Sequence, residues 1–211
     1  MHIKFYIEVI IIAKRLRRNE IINLAAGITG VIDDNGRAYV YDNIKHKSLN
    51  PDDLDDKIKI YQRQVEKWFL ECATRLIKEK NYGFVILMIA VSYIEGVEQY
   101  KEGVSSRRQS RSFFKQGLKR IFSISPEDEC YLDSVYDEVR CGLFHNGMSE
   151  SNVIISYEYL RPIEFCDQDI KINPNLFLSE IKRDFANYIS ILNNEENTDA
   201  RRKFDHMFSV R

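Results

Sequence analysis

The sequence predicts a mainly α fold, a helical bundle with small β-hairpin additions, and three observations predict it. Apolar residues recur at three- and four-residue spacing through several long segments between residues 52 and 192. An Asn-Gly pair, Asn35-Gly36, separates two β-prone runs near the N-terminus. Short β-prone runs, "NVIISYEY" and "RPIEFC", follow Gly147 and stand apart from the helical pattern.

The first twenty residues read "FYIEVIIIA" and then "KRLRR", apolar before basic. A signal peptide carries its charge ahead of the apolar run. The run also contains Glu8 and is shorter than the ~20 residues a membrane span needs. A soluble, cytoplasmic chain with no membrane partner is expected. In "GITGVIDDNGRAYVYD" the Asn-Gly pair supplies the positive φ angles of a tight hairpin turn, so residues 1–50 form an N-terminal segment with a β-hairpin.

From Pro51 the pattern is helical. "PDDLDDK" places acids at a helix N-terminus, and Leu54, Ile58, Tyr61, Val65, Trp68, Cys72 and Leu76 then mark one face of a long helix over about 52–80. "FVILMIAVSYIEGVEQY" is apolar nearly all round in its first half, as in a central, buried helix. A third helix is predicted at about 106–123, with Phe114, Leu118, Ile121 and Phe122 on one side. A fourth starts near Pro126, with Ser125 as cap and Pro126 at the first helical position, and its stripe is Leu132, Val135, Tyr136, Val139 and Leu143. After a β insertion at about 152–172, Asn173 and Pro174 open a last amphipathic helix through Leu192. The helical core spans 51–193, and 194–211 form a polar linker and a short helical tail.

Composition excludes several functions. At 211 residues, 44% hydrophobic and 30% charged, the chain can bury a real core. A net charge of −1 provides no global field for nucleic acid, so such binding requires a local patch. Cys72, Cys130, Cys141 and Cys166 are scattered without a Cys-x-x-Cys pair, which excludes a zinc ribbon and suits reduced thiols. No P-loop, dinucleotide fingerprint or His-Glu-x-x-His motif occurs. No metal and no cofactor is expected.

Chemistry concentrates in "DEVRCGLFHNGMS", residues 137–149, at the end of the fourth helix. On a regular α-helix Arg140 and His145 lie about 140° apart around the axis and ~7.5 Å along it, too divergent to meet at one small group. Cys141 and Phe144 occupy the outer arc, where the preceding turn is polar. That end of the helix is therefore covered, either by a second copy across a twofold axis or by the following β segment. Cys141 and Phe144 are the residues expected at the dimer interface. Alternative roles remain, an ion pair of Arg140 with Asp137 and a favourable charge of His145 at the helix C-terminus.

A four-helix core whose last helix ends in Arg-x4-His, here "RCGLFH", resembles the HEPN superfamily of prokaryotic toxin-antitoxin, abortive-infection and other defence systems. The helix pattern of residues 52–192 carries the resemblance, and the motif is its specific part. The resemblance implies a metal-independent endoribonuclease or RNA-binding protein acting as a homodimer, with the two motifs lining one cleft and a cognate antitoxin protein as a further partner. It assigns Arg140 and His145 as catalytic residues. His145 would take the proton of a ribose 2′-hydroxyl, and Arg140 would hold the phosphate through its forked donors. A second Arg-x4-His, Arg201 to His206, lies in the tail. Many active members carry a polar residue after the arginine, whereas this chain has Cys141, a weak hydrogen-bonding group.

A second feature is "SSRRQSRSFFKQGLKR", where Arg107, Arg111, Lys115 and Lys119 recur every four residues with no acid between them. Such a stripe is either a solvated helix face or an RNA-binding track. The competing function is a non-catalytic helical dimerisation or protein-interaction module. Tyr93, Glu95 and Glu98 read as polar ends of a packed helix.

Overall fold

The computed structural model describes residues 18–149 and 152–209, and the apolar and basic runs at 5–17 lie outside them. The described chain forms two compact units, one of residues 18–69, 100–104 and 189–209 and one of residues 70–99 and 105–188.

The first unit is built on a four-stranded antiparallel sheet, β1 (Ile22–Ala25), β2 (Ile28–Ile32), β3 (Ala38–Asp42) and β4 (Lys47–Leu49), in sequential order. The β2–β3 hairpin pairs Ile32 with Ala38, and Gly36 at φ 80° turns it, as Asn-Gly predicts. Residues alternate across the pleat, so Leu24, Ile28, Val40 and Leu49 are buried while Tyr39 and Tyr41 stay exposed. Helix α1 (residues 54–76) begins on an Asp53 cap that accepts from the Asp56 amide. It brings Ile58, Ile60 and Tyr61 to this core. Its Gln64 donates to the Leu24 carbonyl at 2.6 Å. The tail is no appendage: α6 (Thr198–Ser209) buries Phe204, Met207 and Phe208, stacks Phe204 near Tyr61 and Tyr100, and pairs Asp205 with Lys57.

The second unit is organised by α2 (Gly83–Glu102), whose Ile86, Leu87, Ala90, Val91, Ile94 and Val97 are buried on several faces. Helix α3 (Ser110–Phe122) approaches it closely at Gly117, where an added Cβ would stand 2.7 Å from Ile94 Cγ2. Helix α4 (residues 126–146) starts as predicted, with Ser125 accepting from the Asp128 amide and Pro126 in the first turn. That first turn is 3₁₀. A three-stranded mixed sheet follows in the order β5-β7-β6, with β5 (Val153–Ile155) parallel and β6 (Ile163–Cys166) antiparallel to β7 (Asp169–Ile172). Helix α5 (Pro174–Asn193) supplies Phe177, Leu178, Ile181 and Phe185 to the core.

Two expectations are corrected. The described residues are 59% helical but carry two separate β-sheets, so the fold is mixed α and β rather than a mainly helical bundle with hairpin additions. The short apolar and polar runs flanking the Asn-Gly hairpin, Ile22–Ala25 and Lys47–Leu49, become strands because the hairpin edges offer unpaired backbone groups to them. The helical stripe through Trp68 and Cys72 also fails, since both are exposed while Leu70 and Ala73 are buried. A π-helical turn at Glu66–Leu70 inserts a residue and rotates the buried face.

Candidate functional site

Residues 137–149 span the end of an unusual helix. Over Val135–Asn146 the backbone of α4 is π-helical, with i→i+5 hydrogen bonds, and Gly147 at φ 70° ends it. In such a helix residues five apart stand nearly above one another, unlike the same residues on an α-helix. Tyr136 and Cys141 are one such pair, and their side chains interact. Arg140 and His145 have the same five-residue spacing. The divergence of about 140° expected from α-helical geometry therefore does not apply.

Arg140 is half-buried and donates to Glu95 Oε2 of α2 at 3.0 Å. The second oxygen of Glu95 accepts from the Ser106 hydroxyl at 2.6 Å, and the Ser106 amide donates to Gln99 at 3.1 Å. The guanidinium lies 5.4 Å from the Tyr136 ring centroid and 5.3 Å from that of Phe144, within cation–π range of both. Burial works against the charge on Arg140, but the Glu95 carboxylate outweighs it and holds the group above its ordinary pKa. Burial also pushes the Tyr136 phenol up, against the nearby Arg140 charge. The ion pair with Asp137 expected from sequence is not formed by Arg140, because Asp137 accepts two hydrogen bonds from Arg111 at 2.8 and 2.6 Å.

His145 is exposed on the final turn, beside Phe144, which is 46% exposed, and Met148, which is 57% exposed. Cys141 is half-buried against Arg140 and Tyr136, turned toward the site more than the outer arc implies. The basic stripe is laid along the acidic face of α4. Arg111 pairs with Asp133 and Asp137, Lys115 with Asp133 at 2.7 Å, and Lys119 with Glu129. Arg107 stands exposed before the helix. Three of the four cations expected to track RNA thus face carboxylates, and a phosphate backbone would have to compete with them. The second Arg-x4-His behaves differently again, since Arg201 donates to the Leu192 carbonyl and to Asp55.

No family model, no curated protein and no solved structure matches the chain. The site rests on its own geometry.

Sequence reasoning missed Glu95 as the partner of Arg140 and Ser106 as a second donor to Glu95. The available signal was two carboxylates, Glu95 and Glu98, in a helix otherwise apolar enough to be buried, which require cations nearby. Arg140 answers Glu95, and Arg120 answers Glu98 while also pairing with Asp184, which accepts from Tyr93 at 2.8 Å. Among the described residues no group of three or more His, Cys, Asp and Glu side chains is arranged to hold a metal ion.

Proposed function

We propose that this chain is a HEPN-like, metal-independent endoribonuclease that works as a homodimer in prokaryotic defence or with a cognate antitoxin. The supporting observation is the π-helical end of α4, whose i→i+5 pattern narrows the angle between Arg140 and His145 relative to an α-helix, with His145 in solvent. Arg140 donates to Glu95 and is also hydrogen-bonded to Cys141, and with five N–H donors in all it keeps others to hold a phosphate. His145 takes the proton from a ribose 2′-hydroxyl as its oxygen attacks the adjacent phosphorus. The P–O5′ bond breaks, the leaving oxygen takes up a proton, and a 2′,3′-cyclic phosphate remains. Arg140 stabilises the charge that builds on the phosphoryl oxygens.

The experiment is incubation of the purified chain with mixed RNA in chelator, alongside His145→Ala and Arg140→Ala, with end-group analysis of the products. Cyclic phosphate ends from the wild type, lost in both variants, are expected. Equal cleavage by all three, or none by the wild type across many RNAs, overturns the reading.

A specific observation favours a second reading, a non-catalytic interaction module. Arg140 and most of the basic stripe already face carboxylates, while Phe144 and Met148 present apolar surface at the same helix end. A chain that dimerises through Phe144 and binds no RNA would fit that reading alone.

A further inference from the structure

Two contacts bring other cations beside Arg140, and the chemistry assigned to it uses neither. Tyr136 carries the first. Its ring centroid lies 5.4 Å from the Arg140 guanidinium and 4.6 Å from that of Arg111, near the start of α3, so one aromatic side chain gathers both arginines. Glu95 carries the second. One of its oxygens accepts from Arg140 and the other from the Ser106 hydroxyl, and Arg107 follows Ser106 in the chain. Arg107 and Arg108 are exposed and form no ion pair among the described residues.

Arg111 is engaged in a particular way. Its two terminal nitrogens donate to the two oxygens of Asp137 at 2.8 and 2.6 Å, with a longer contact to Asp133 at 3.4 Å. A pair of this fork-on-fork form uses the same donors, in the same plane, that a phosphate takes. Asp133 also accepts from Lys115 at 2.7 Å, whereas the Asp137 carboxylate has no partner besides Arg111 among the described residues. Both side chains are about half exposed, 46% for Arg111 and 53% for Asp137, so the pair is open to exchange with dissolved anions.

We infer that Arg111 is a second phosphate-holding residue of the Arg140 site, and that Asp137 fills its fork in the free chain until a phosphate of the RNA backbone displaces it. The inference rests on the ribonuclease reading for the identity of the anion. Arg140 holds the phosphate under attack, and Arg111, gathered by the same ring, holds another phosphate of the same strand. Lys115 and Lys119 stand one and two turns further along α3 and keep their acids. Glu95 and Asp137 neutralise the two arginines in the free chain, so an anion binds only by exchange. A single small anion gains little from displacing one carboxylate, whereas a backbone that reaches Arg111 and Arg140 together gains at both and meets the unpaired charges of Arg107 and Arg108.

The test measures, by fluorescence anisotropy, binding of a labelled single-stranded RNA whose 2′-hydroxyls are methylated and which therefore resists cleavage, alongside cleavage of the unmodified strand. Asp137→Asn should tighten binding at least fivefold. Glu129→Gln, which removes the same charge opposite Lys119, should change it less than twofold. None of the three positions altered is buried. The gain should vanish in the Arg111→Ala background, where Asp137→Asn has nothing to release. In cleavage, Asp137→Asn should lower KM and leave kcat within twofold, as for a group that holds the strand and takes no part in bond exchange. The inference is overturned by no gain, by a gain that persists without Arg111, or by one that Glu129→Gln matches, since loss of negative charge alone then explains it. Cleavage without an Arg111-dependent gain removes the second phosphate site and leaves the nuclease. An Arg111-dependent gain without cleavage keeps the two-arginine site and removes the nuclease, and neither binding nor cleavage removes both.

Discussion

Asp42 shows how much one side chain decides. It is 2% exposed at the end of β3, where one oxygen accepts from Arg63 at 2.7 Å and from the amides of Ile44 and Lys45 at 3.0 and 3.1 Å. The Arg63 hydrogen bond, with these amides, overcomes burial and lowers its pKa to about 2. A depressed carboxylate stabilises the fold above its unfolded value of ~3.9, and that contribution disappears as pH falls through the folded value. Urea unfolding should therefore lose about 2 kcal/mol between pH ~4 and pH ~2, and Asp42→Asn should lose a similar amount at pH 7 and flatten that dependence. Glu95 makes a different kind of test. Glu95→Gln keeps an acceptor for Ser106 but removes the charge facing Arg140, so RNA affinity should rise several-fold while the thermal midpoint falls. A fall in RNA affinity would instead mark Glu95 as the group that orients Arg140. Neither pairing was readable from spacing, because Asp42 and Arg63 are 21 residues apart and Glu95 and Arg140 are 45 apart.

The helices were legible from their apolar periodicity, and the departures come where backbone hydrogen bonding leaves the α pattern. Helical projections assume 100° per residue, which fails at Glu66–Leu70 and throughout Val135–Asn146. The consequence is an exposed Trp68 in α1, and a narrower angle between Arg140 and His145 on α4 than α-helical geometry implies. Gly147 terminates that helix at φ 70°, with open space where a Cβ would stand, so Gly147→Ala should cost about 1 kcal/mol through backbone strain alone and fray the turn bearing His145. Gly117→Ala has another cause, since its Cβ would meet Ile94 and Glu98 side chains within 3 Å and the Ile94 carbonyl at 3.1 Å. Overpacking between α2 and α3 should lower stability by about 1–3 kcal/mol in chemical denaturation.

Taken as a molecule, the chain presents charge and apolar surface in places the composition does not reveal. Its net charge of −1 hides a basic stripe matched to acids on the neighbouring helix. These are exposed pairs screened by solvent, so Lys115→Ala should leave both stability and RNA affinity nearly unchanged. A large loss of RNA affinity in Lys115→Ala would show the stripe to be a nucleic-acid track after all. The apolar end of α4 bears on oligomeric state. Sedimentation should show a dimer for the wild type and its loss in Phe144→Asp, whereas equal masses would remove the interface.

From the order of residues alone come the positions of the main helices, the Asn-Gly hairpin, the Ser125–Pro126 start of α4 and the Arg-x4-His motif, because local spacing, turn chemistry and capping act between near neighbours in the chain. The two sheets, the core role of α6, the π-helical α4 and the Glu95–Arg140 pair come from folding. Each depends on which distant backbone or charge arrives to satisfy a buried group, and periodicity along one segment carries no record of that partner.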